Sequence, residues 1–293
     1  MQFFFTLLLT GVCTGLGYSL VAQGMNVTYW TVKVLNFAHG GFMMVAAFVL
    51  YALVERGYSV PLAMLAGLVL VAALAVVIER VAVRPVLRIG AGAGWVVSTL
   101  GAYIVLQGVA TLVWGTETYP VPSLFLDAED TVSIFGIPVA AQSAMLAGVA
   151  LIVFVLLEYL VRRTTTGLVL RSVSDDPALA RVRGVNVESV VTLSFIISGC
   201  LGALAGFAIA PMTGVSAAFG FSYLLNGFAA MVIGGVGSSA GAMLGGVSIG
   251  VIQLMAAGYI SSQTQNAVAF VVLILVLVAR PQGLLGQKAT VKV

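Results

Sequence analysis

The chain has 293 residues, of which 61% are apolar and only 8% are charged, and its net charge is +3. About a quarter of the residues of a soluble domain are charged, so this composition excludes a soluble globular protein with a charged, hydrated surface. We therefore expect the chain to fold in a lipid bilayer.

Six charge-free runs divide the chain, and each of the first five is long enough for one membrane span of about 20 residues. The sixth run is long enough for three or four. None of the runs alternates in the way that β-barrel strands do. We predict an all-α, polytopic membrane protein of about eight or nine spans, including short or re-entrant helices, in one transmembrane domain over residues 1–293. The runs cover residues 2–32, 34–54, 57–78, 89–116, 131–157 and 189–279.

The first run begins MQFFFTLLLTGVC, without a basic residue, and stays apolar well beyond signal-peptide length. It is therefore predicted to be a retained span. Cys13 in this run and Cys200 in the last run are predicted to be small buried residues. Two such cysteines imply neither a disulfide framework nor a metal site.

The motif NFAHGGF, residues 36–42, interrupts the second run with a glycine pair that should break the helix. Irregular backbone at membrane depth is tolerated where it lines a cavity or is buried in protein. Asn36, His39 and Gly40 are therefore candidates for the pathway of a solute. A neutral His39 that is satisfied by local hydrogen bonds is the alternative. A proton relay is disfavoured because the neighbouring runs contain no acid to receive the proton.

A polar stretch at residues 164–186 is predicted to contain a helix of about two turns over residues 177–183. Asp176 before Pro177 is typical of a helix start, and Gly184 is typical of a helix end. Leu179 and Val182 share one face of this helix. The segment is either a docking helix for a partner or an ordinary solvated loop.

The last run contains the glycine-rich sequence GGVGSSAGAMLGGVSIG at residues 234–250. Glycines at this spacing allow helix backbones to approach closely in lipid, which is the favoured interpretation. A break between short helices that line a pathway is the other, and it makes Gly237, Ser238 and Ser239 pathway candidates. Both ends of the run adjoin basic regions that are predicted to lie on the same side of the membrane, so the number of crossings should be even. Four crossings, or two with a re-entrant pair, both fit.

The distribution of charge predicts the orientation. Placing the basic regions in the cytoplasm leaves only Arg56 of the 13 basic residues outside, as the positive-inside rule requires. The N-terminus is then outside and the C-terminus inside. Loop 162–187 becomes cytoplasmic. Loop 115–138, which holds four acids and no base, becomes extracytoplasmic.

The polar stretch resembles the cytoplasmic coupling loop of the branched-chain amino-acid type of ABC importer permeases, the Liv-type H subunit. Further motifs similar to that family are NFAHG, RPVLR at 84–88, AAMVIGGVGSSAGAMLGG and RPQGLLG at 280–286, so the resemblance covers nearly the whole chain. The residues of the loop that fit the family pattern are Arg163, Thr164, Gly167, Arg171, Asp176, Gly184, Val185 and Asn186.

The resemblance implies a permease subunit, without enzyme activity or a cofactor of its own, in the inner (plasma) membrane of a prokaryote. It would import a small polar solute, such as a branched-chain or other amino acid, or a related amide, urea or carboxylate. The implied partners are a second homologous permease subunit, two cytoplasmic ATP-binding subunits that consume the ATP, an extracytoplasmic substrate-binding protein and membrane lipid, but no nucleic acid. The residues assigned to ATPase coupling are Arg163, Gly167, Arg171, Asp175, Asp176, Pro177, Leu179, Arg181, Val182, Arg183 and Gly184.

The chain departs from the family pattern at Trp30, Lys33, Gly41 and Ala240, which lie near the predicted pathway turns. The resemblance therefore does not identify the solute that this chain transports. An ion-coupled transporter or channel is the alternative function. It is disfavoured because the predicted interior lacks the acids that such coupling uses. The sequence GSSAG at 237–241 matches a serine-hydrolase motif, but the only histidine lies about 200 positions upstream, so a protease is disfavoured as well.

Overall fold

The structure is a computed structural model that describes residues 1–90, 92–123, 130–134, 136–280 and 282–286. The bundle consists of helices with one short antiparallel hairpin. The helices are α1 Gln2–Val32, α2 His39–Glu55, α3 Val60–Ile78, α4 Arg84–Arg88, α5 Gly94–Trp114, α6 Ala141–Arg163, α7 Thr165–Asp175, α8 Pro177–Val182, α9 Val187–Thr213, α10 Phe219–Gly234, α11 Ser239–Tyr259 and α12 Gln265–Ala279, and the strands are β1 Thr131–Ile134 and β2 Ile137–Ala140.

Among the described residues, seven helical segments are long and apolar enough to cross a membrane. One of them joins α3 through a π-helical turn, Glu79–Val83, to α4. The shorter apolar helices α2 and α10 bring the set to nine, in agreement with the predicted eight or nine. The last charge-free run forms the four helices α9 to α12. The prediction of a polytopic helical membrane protein is confirmed.

The predicted close packing at the late glycines is confirmed, because α1 and α11 lie against each other through small residues. A Cβ on Gly15 would lie 2.5 Å from the carbonyl oxygen of Gly246. One turn away, a Cβ on Gly11 would lie 2.8 Å from the Cα of Val251. With no room for a side chain at these points, the two backbones pack directly on each other, as helices in lipid commonly do.

The bundle has two distinct ends. One end, called the basic end below, carries Lys33, α4, α7 and α8, and there the chain segment after α12 returns to α10 through a hydrogen bond from Leu284 N to Ile233 O of 2.8 Å. Lys288 and Lys292 lie outside the described residues. The opposite end, called the loop end, carries the hairpin and a pair of 2.9 and 2.8 Å backbone hydrogen bonds between Tyr119 and Val215. Of the predicted loop 115–138, residues 124–129 and 135 lie outside the described residues.

The two short helices begin inside the bundle and point in opposite directions. The chain enters α2 at His39, beside Gly202 near the middle of α9, and leaves it at the loop end, where Tyr51 packs on Tyr119. The chain enters α10 a few residues after Val215 and leaves it at the basic end. Their first turns meet, since a Cβ on Gly40 would lie 2.7 Å from the carbonyl oxygen of Gly220. This contact fixes where the two interrupted helices cross.

Candidate functional site

The predicted coupling segment forms two helices, and the first is held against the body of the bundle. The hydroxyl of Thr164 accepts a hydrogen bond from Gly167 N at 3.1 Å and starts α7. Gly167 lies so close to the carbonyl oxygens of Leu160 and Val161 that no side chain fits there. Leu170 and Val173 are buried in the core. α7 is therefore a fixed base for the segment that follows.

The second helix, α8, begins at Pro177 with the predicted Asp176 cap and ends at Val182, one residue before the predicted end. Asp176 Oδ1 accepts hydrogen bonds from the backbone N–H groups of Ala178 at 2.9 Å and Leu179 at 3.0 Å. Gly184, with φ of 85°, ends the helix. α8 buries only Ala180 against the bundle. Leu179 is 50% exposed and Val182 is 84% exposed, so an apolar edge faces outward. The remaining coupling residues Arg163, Arg171, Asp175, Asp176, Pro177, Arg181, Arg183 and Gly184 are exposed around it.

A charged cluster lies beside α8 and connects the α3–α4 segment to α9. Arg84 binds both carboxylate oxygens of Glu79 at 2.9 Å, and its third nitrogen binds Glu188 at 3.0 Å. Arg88 binds the other oxygen of Glu188 at 3.1 Å, and Thr192 donates to Glu79 at 3.1 Å. Bidentate pairing of this kind holds two segments in a defined geometry.

Sequence reasoning did not find this cluster. Its two acids are distant in sequence, because Glu188 is about 100 positions away from Arg84 along the chain. The available signal was that Glu188 is the one acid in the first turn of α9, at the same end of the bundle as the arginines. A cleft of about 570 Å³ separates the cluster from α8, and it is also lined by Lys33, Ser174 and Arg181.

The first group of predicted pathway residues is buried at the crossing of α1, α2 and α9. The ring of His39 fills the space left by Gly24 and Gly202, and its Nδ1 lies 3.2 Å from the hydroxyl of Ser198. Asn36 Oδ1 accepts from Ala38 N at 3.1 Å. The side chains have a packing and local hydrogen-bonding role here. A position on the solute pathway stays a prediction for Asn36, His39 and Gly40.

The second predicted group, Gly237 to Ser239, lies at the basic end and joins the turn before α11 to α1. Asn26 Oδ1 accepts from Gly237 N at 2.9 Å, and Gln23 exchanges hydrogen bonds with Ser239 through its hydroxyl at 2.7 Å and its carbonyl at 2.8 Å. The hydroxyl of Ser238 accepts from Gly241 N at 3.0 Å and starts α11. The two predicted groups thus meet the same turn of α1, where His39 lies against Gly24 and the glycine-rich turn is bonded to Gln23 and Asn26.

Two of the positions that depart from the family pattern also have partners at this end. The indole N–H of Trp30 donates to the carbonyl of Gly237 at 2.7 Å, which joins the end of α1 to the glycine-rich turn. Lys33 donates to the hydroxyl of Ser174 at 2.8 Å, which joins α1 to α7. The first contact ties the α10–α11 turn to α1, and the second ties the predicted coupling segment to the same helix.

Residues 7–279 match the family described as the permease component of branched-chain amino acid transport systems. The chain belongs to this family. The permease is 30% identical over 304 residues to the high-affinity branched-chain amino acid permease LivH of Escherichia coli strain K12, covering 99% of this chain and 98% of the relative. It is 32% identical over 300 residues to BraD of Pseudomonas aeruginosa, covering 98% and 97%. The resemblance found in the sequence motifs is confirmed.

A solved structure, PsaBC from Streptococcus pneumoniae in complex with Fab, resembles the permease with a TM-score of 0.50 and 14% sequence identity. The likeness covers 92% of this chain and 91% of the other, and it concerns the fold alone. Family membership places the permease in the inner membrane as a multi-pass transport component. It decides against the channel, ion-coupled transporter and protease interpretations of the sequence.

Proposed function

We propose that this permease is the subunit through which an amino acid, with a branched-chain amino acid as the leading candidate, enters the cytoplasm. Separate ATPase subunits drive the process by docking on α7 and α8. LivH and BraD match nearly the whole chain, and their names, which refer to branched-chain amino acids, support this class of solute. The proposal of a docking surface depends on one structural observation. The short capped helix α8 has an exposed apolar edge.

Helix α8 has the properties of a segment that a partner completes. A helix of six residues is marginal in water by itself, and exposed Leu179 and Val182 gain stability only when a partner groove covers them. Arg181 and Arg183 flank this edge and suit acidic groups on the partner. The sequence contains no phosphate-binding loop, because none of the three lysines follows a glycine. Energy from ATP would therefore come from another subunit.

The contacts around α7 supply a route from the docking surface into the bundle. Through Val173 and Leu170 α7 packs into the core, and through Ser174 it is hydrogen-bonded to Lys33 at the end of α1. Glu188, at the start of α9, is held by Arg84 and Arg88 and lines the same cleft as Arg181 of α8. A shift of α8 would thus reach α1 and α9 together, and these are the central helices of the fold.

The proposed orientation follows the charge distribution, with the basic end in the cytoplasm and the loop end outside. In this arrangement the ATPase subunits would meet α8, and an extracytoplasmic substrate-binding protein would meet the loop end. A second homologous permease subunit would complete the membrane part. Asn36, His39, Gly40, Gly237, Ser238 and Ser239 stay candidates for contacts that change as the solute passes.

A Leu179→Asp/Val182→Asp double variant should insert in the membrane and bind its sister permease, but it should lose the ATPase subunits. Both side chains are exposed, so the isolated chain should be little affected. Covering one leucine is worth about 1.5–3 kcal/mol, and its replacement by a charge should weaken docking by roughly tenfold or more. The measurement is the ratio of ATPase subunit to permease after affinity purification through a tag on the permease.

The control is Tyr58→Asp, which places one aspartate at a position where the side chain is 52% exposed, at the loop end. This variant should keep the ATPase subunits at the parental ratio. If the double variant also purified with a full complement of ATPase, α8 would be a solvated loop and the proposed docking surface would be wrong.

A further inference from the structure

A polar crevice of about 370 Å³ opens at the loop end, where the chain turns from α9 into α10. It is separate from the residues assigned to coupling and from both predicted pathway groups. None of its lining residues is charged, although many carry hydroxyl or amide groups. The polar side chains that matter here belong to Tyr18, Thr118, Ser222, Tyr223, Asn226 and Gln265.

The crevice extends from the loop end to about the middle of the bundle. Its upper wall includes Thr118 and Gly214, which adjoin the hydrogen-bonded pair Tyr119 and Val215. Its lower wall is Asn226, one turn below Ser222 on α10. The next residue, Gly227, lies against Val21, near the middle of α1. Polar groups therefore continue into a depth at which the outer helices present apolar side chains.

The floor of the crevice is the amide of Asn226, which is hydrogen-bonded to the buried amide of Gln253. Asn226 Oδ1 accepts from Gln253 Nε2 at 2.9 Å, and Asn226 Nδ2 donates to the carbonyl of Ser222 at 3.1 Å. Gln253 is fully buried, and its Oε1 has no hydrogen-bond partner among the described residues. An unpaired buried amide oxygen is costly, because it has lost its hydrogen bonds to water. Polar groups at such a depth are usually there for function.

We propose that this crevice is an outward-facing subsite for a small solute without net charge, either neutral or zwitterionic, as an amino acid is. The inference rests on the proposed function and specifies where the solute enters this chain. The volume falls within the usual range for small-molecule sites of about 300–1,000 Å³. A solute with net charge would find no counter-charge among the lining residues. The amides and hydroxyls can bind both ends of a zwitterion, and the positive end of the α10 dipole favours its carboxylate.

The test is thiol labelling of a Ser222→Cys variant, with Cys13→Ala and Cys200→Ala, in the assembled complex in right-side-out membrane vesicles. The matched control is Ile104→Cys, which is at nearly the same depth because the neighbouring Tyr103 packs on Phe221 with ring centroids 5.7 Å apart. Ile104 is 62% exposed, but on the apolar outer face of α5. An impermeant trimethylammonium methanethiosulfonate added outside should modify the Ser222→Cys variant about tenfold faster or more, because it is excluded from lipid.

The second arm concerns the solute. Millimolar L-leucine should slow the modification of the Ser222→Cys variant, and L-glutamate, which carries a net charge, should not. Equal, slow labelling of both cysteine variants would show that the crevice is closed to the outside and overturn the proposal. Fast labelling that leucine does not slow would show a water-filled recess rather than a subsite, and would overturn it as well. ATP-driven uptake by the unlabelled cysteine-free complex reports on the proposed function separately.

Discussion

Replacing Arg84 with methionine should destabilise the permease by about 3–5 kcal/mol, because it leaves a buried carboxylate without its counter-charge. The side chain of Glu79 is only 2% exposed, and Arg84 binds both of its oxygens. Thr192 would remain as a hydrogen-bond donor to Glu79, but it carries no charge. The measurement is the free energy of unfolding of the purified permease in detergent, from reversible denaturation followed by helical circular dichroism.

Two variants separate this effect from a general loss of surface charge. Arg88→Met removes an arginine that is 66% exposed and pairs with the half-exposed Glu188, so it should cost no more than about 1 kcal/mol. Adding Glu79→Gln to Arg84→Met removes the unpaired charge and should restore most of the loss. Equal effects of Arg84→Met and Arg88→Met would contradict the assignment of Glu79 as a buried anion held by Arg84.

A Gly220→Ala variant should be destabilised by about 1–3 kcal/mol, although alanine is normally the better residue in a helix. The reason is the crossing of α2 and α10, where a Cβ on Gly220 would overlap the carbonyl oxygen and carbon of Gly40. Both glycines are buried, and the obstructing atoms are backbone, which cannot move aside as a side chain would. The thermal unfolding midpoint of the purified permease should fall, and uptake should fall with it.

The control for this prediction is Gly108→Ala on α5, where a Cβ would meet no atom within 4 Å. This change should be neutral or stabilise the permease by up to about 1 kcal/mol, since it only removes the conformational freedom of glycine. An unchanged midpoint for Gly220→Ala would mean that the two half-length helices do not meet as closely as described.

The parts of the fold that were predictable from the sequence are those set by local pattern. Charge-free runs located the spanning helices because an apolar segment of about 20 residues has few alternatives in lipid. The caps of α8 were predictable because each depends on neighbouring residues alone. Asp176 and Pro177 start the helix, and Gly184 ends it. The meeting of Gly40 with Gly220 was not, because it joins residues 180 positions apart and depends on how two interrupted helices cross.

One boundary shows the limit of a hydropathy argument. The run at 131–157 was long enough for a single span, but its first part forms the β1–β2 hairpin, and α6 begins only at Ala141. Residues 131–140 are rich in β-branched side chains, and Gly136 takes φ of 78° at the turn. Apolar content alone does not distinguish such a hairpin from the start of a helix, whereas the β-branched pattern with a glycine turn does.

The candidate site divides in the same way. The exposed edge formed by Leu179 and Val182 was predictable from helical spacing. The Glu79–Arg84–Glu188 cluster and the crevice at Asn226 were not, because each is assembled from elements distant in sequence. Trp30 and Lys33 stood out only as departures from a pattern, and the structure gives both a partner at the basic end.

The central claim is that ATP hydrolysis by partner subunits, acting through α8, moves the solute through this permease. The most direct measurement is uptake of radiolabelled leucine into proteoliposomes that contain the complete complex, with the substrate-binding protein outside and ATP enclosed. We predict concentrative uptake that requires the enclosed ATP and disappears in the Leu179→Asp/Val182→Asp complex. Uptake that proceeds without ATP and follows an imposed proton or sodium gradient would contradict the claim and support an ion-coupled transporter.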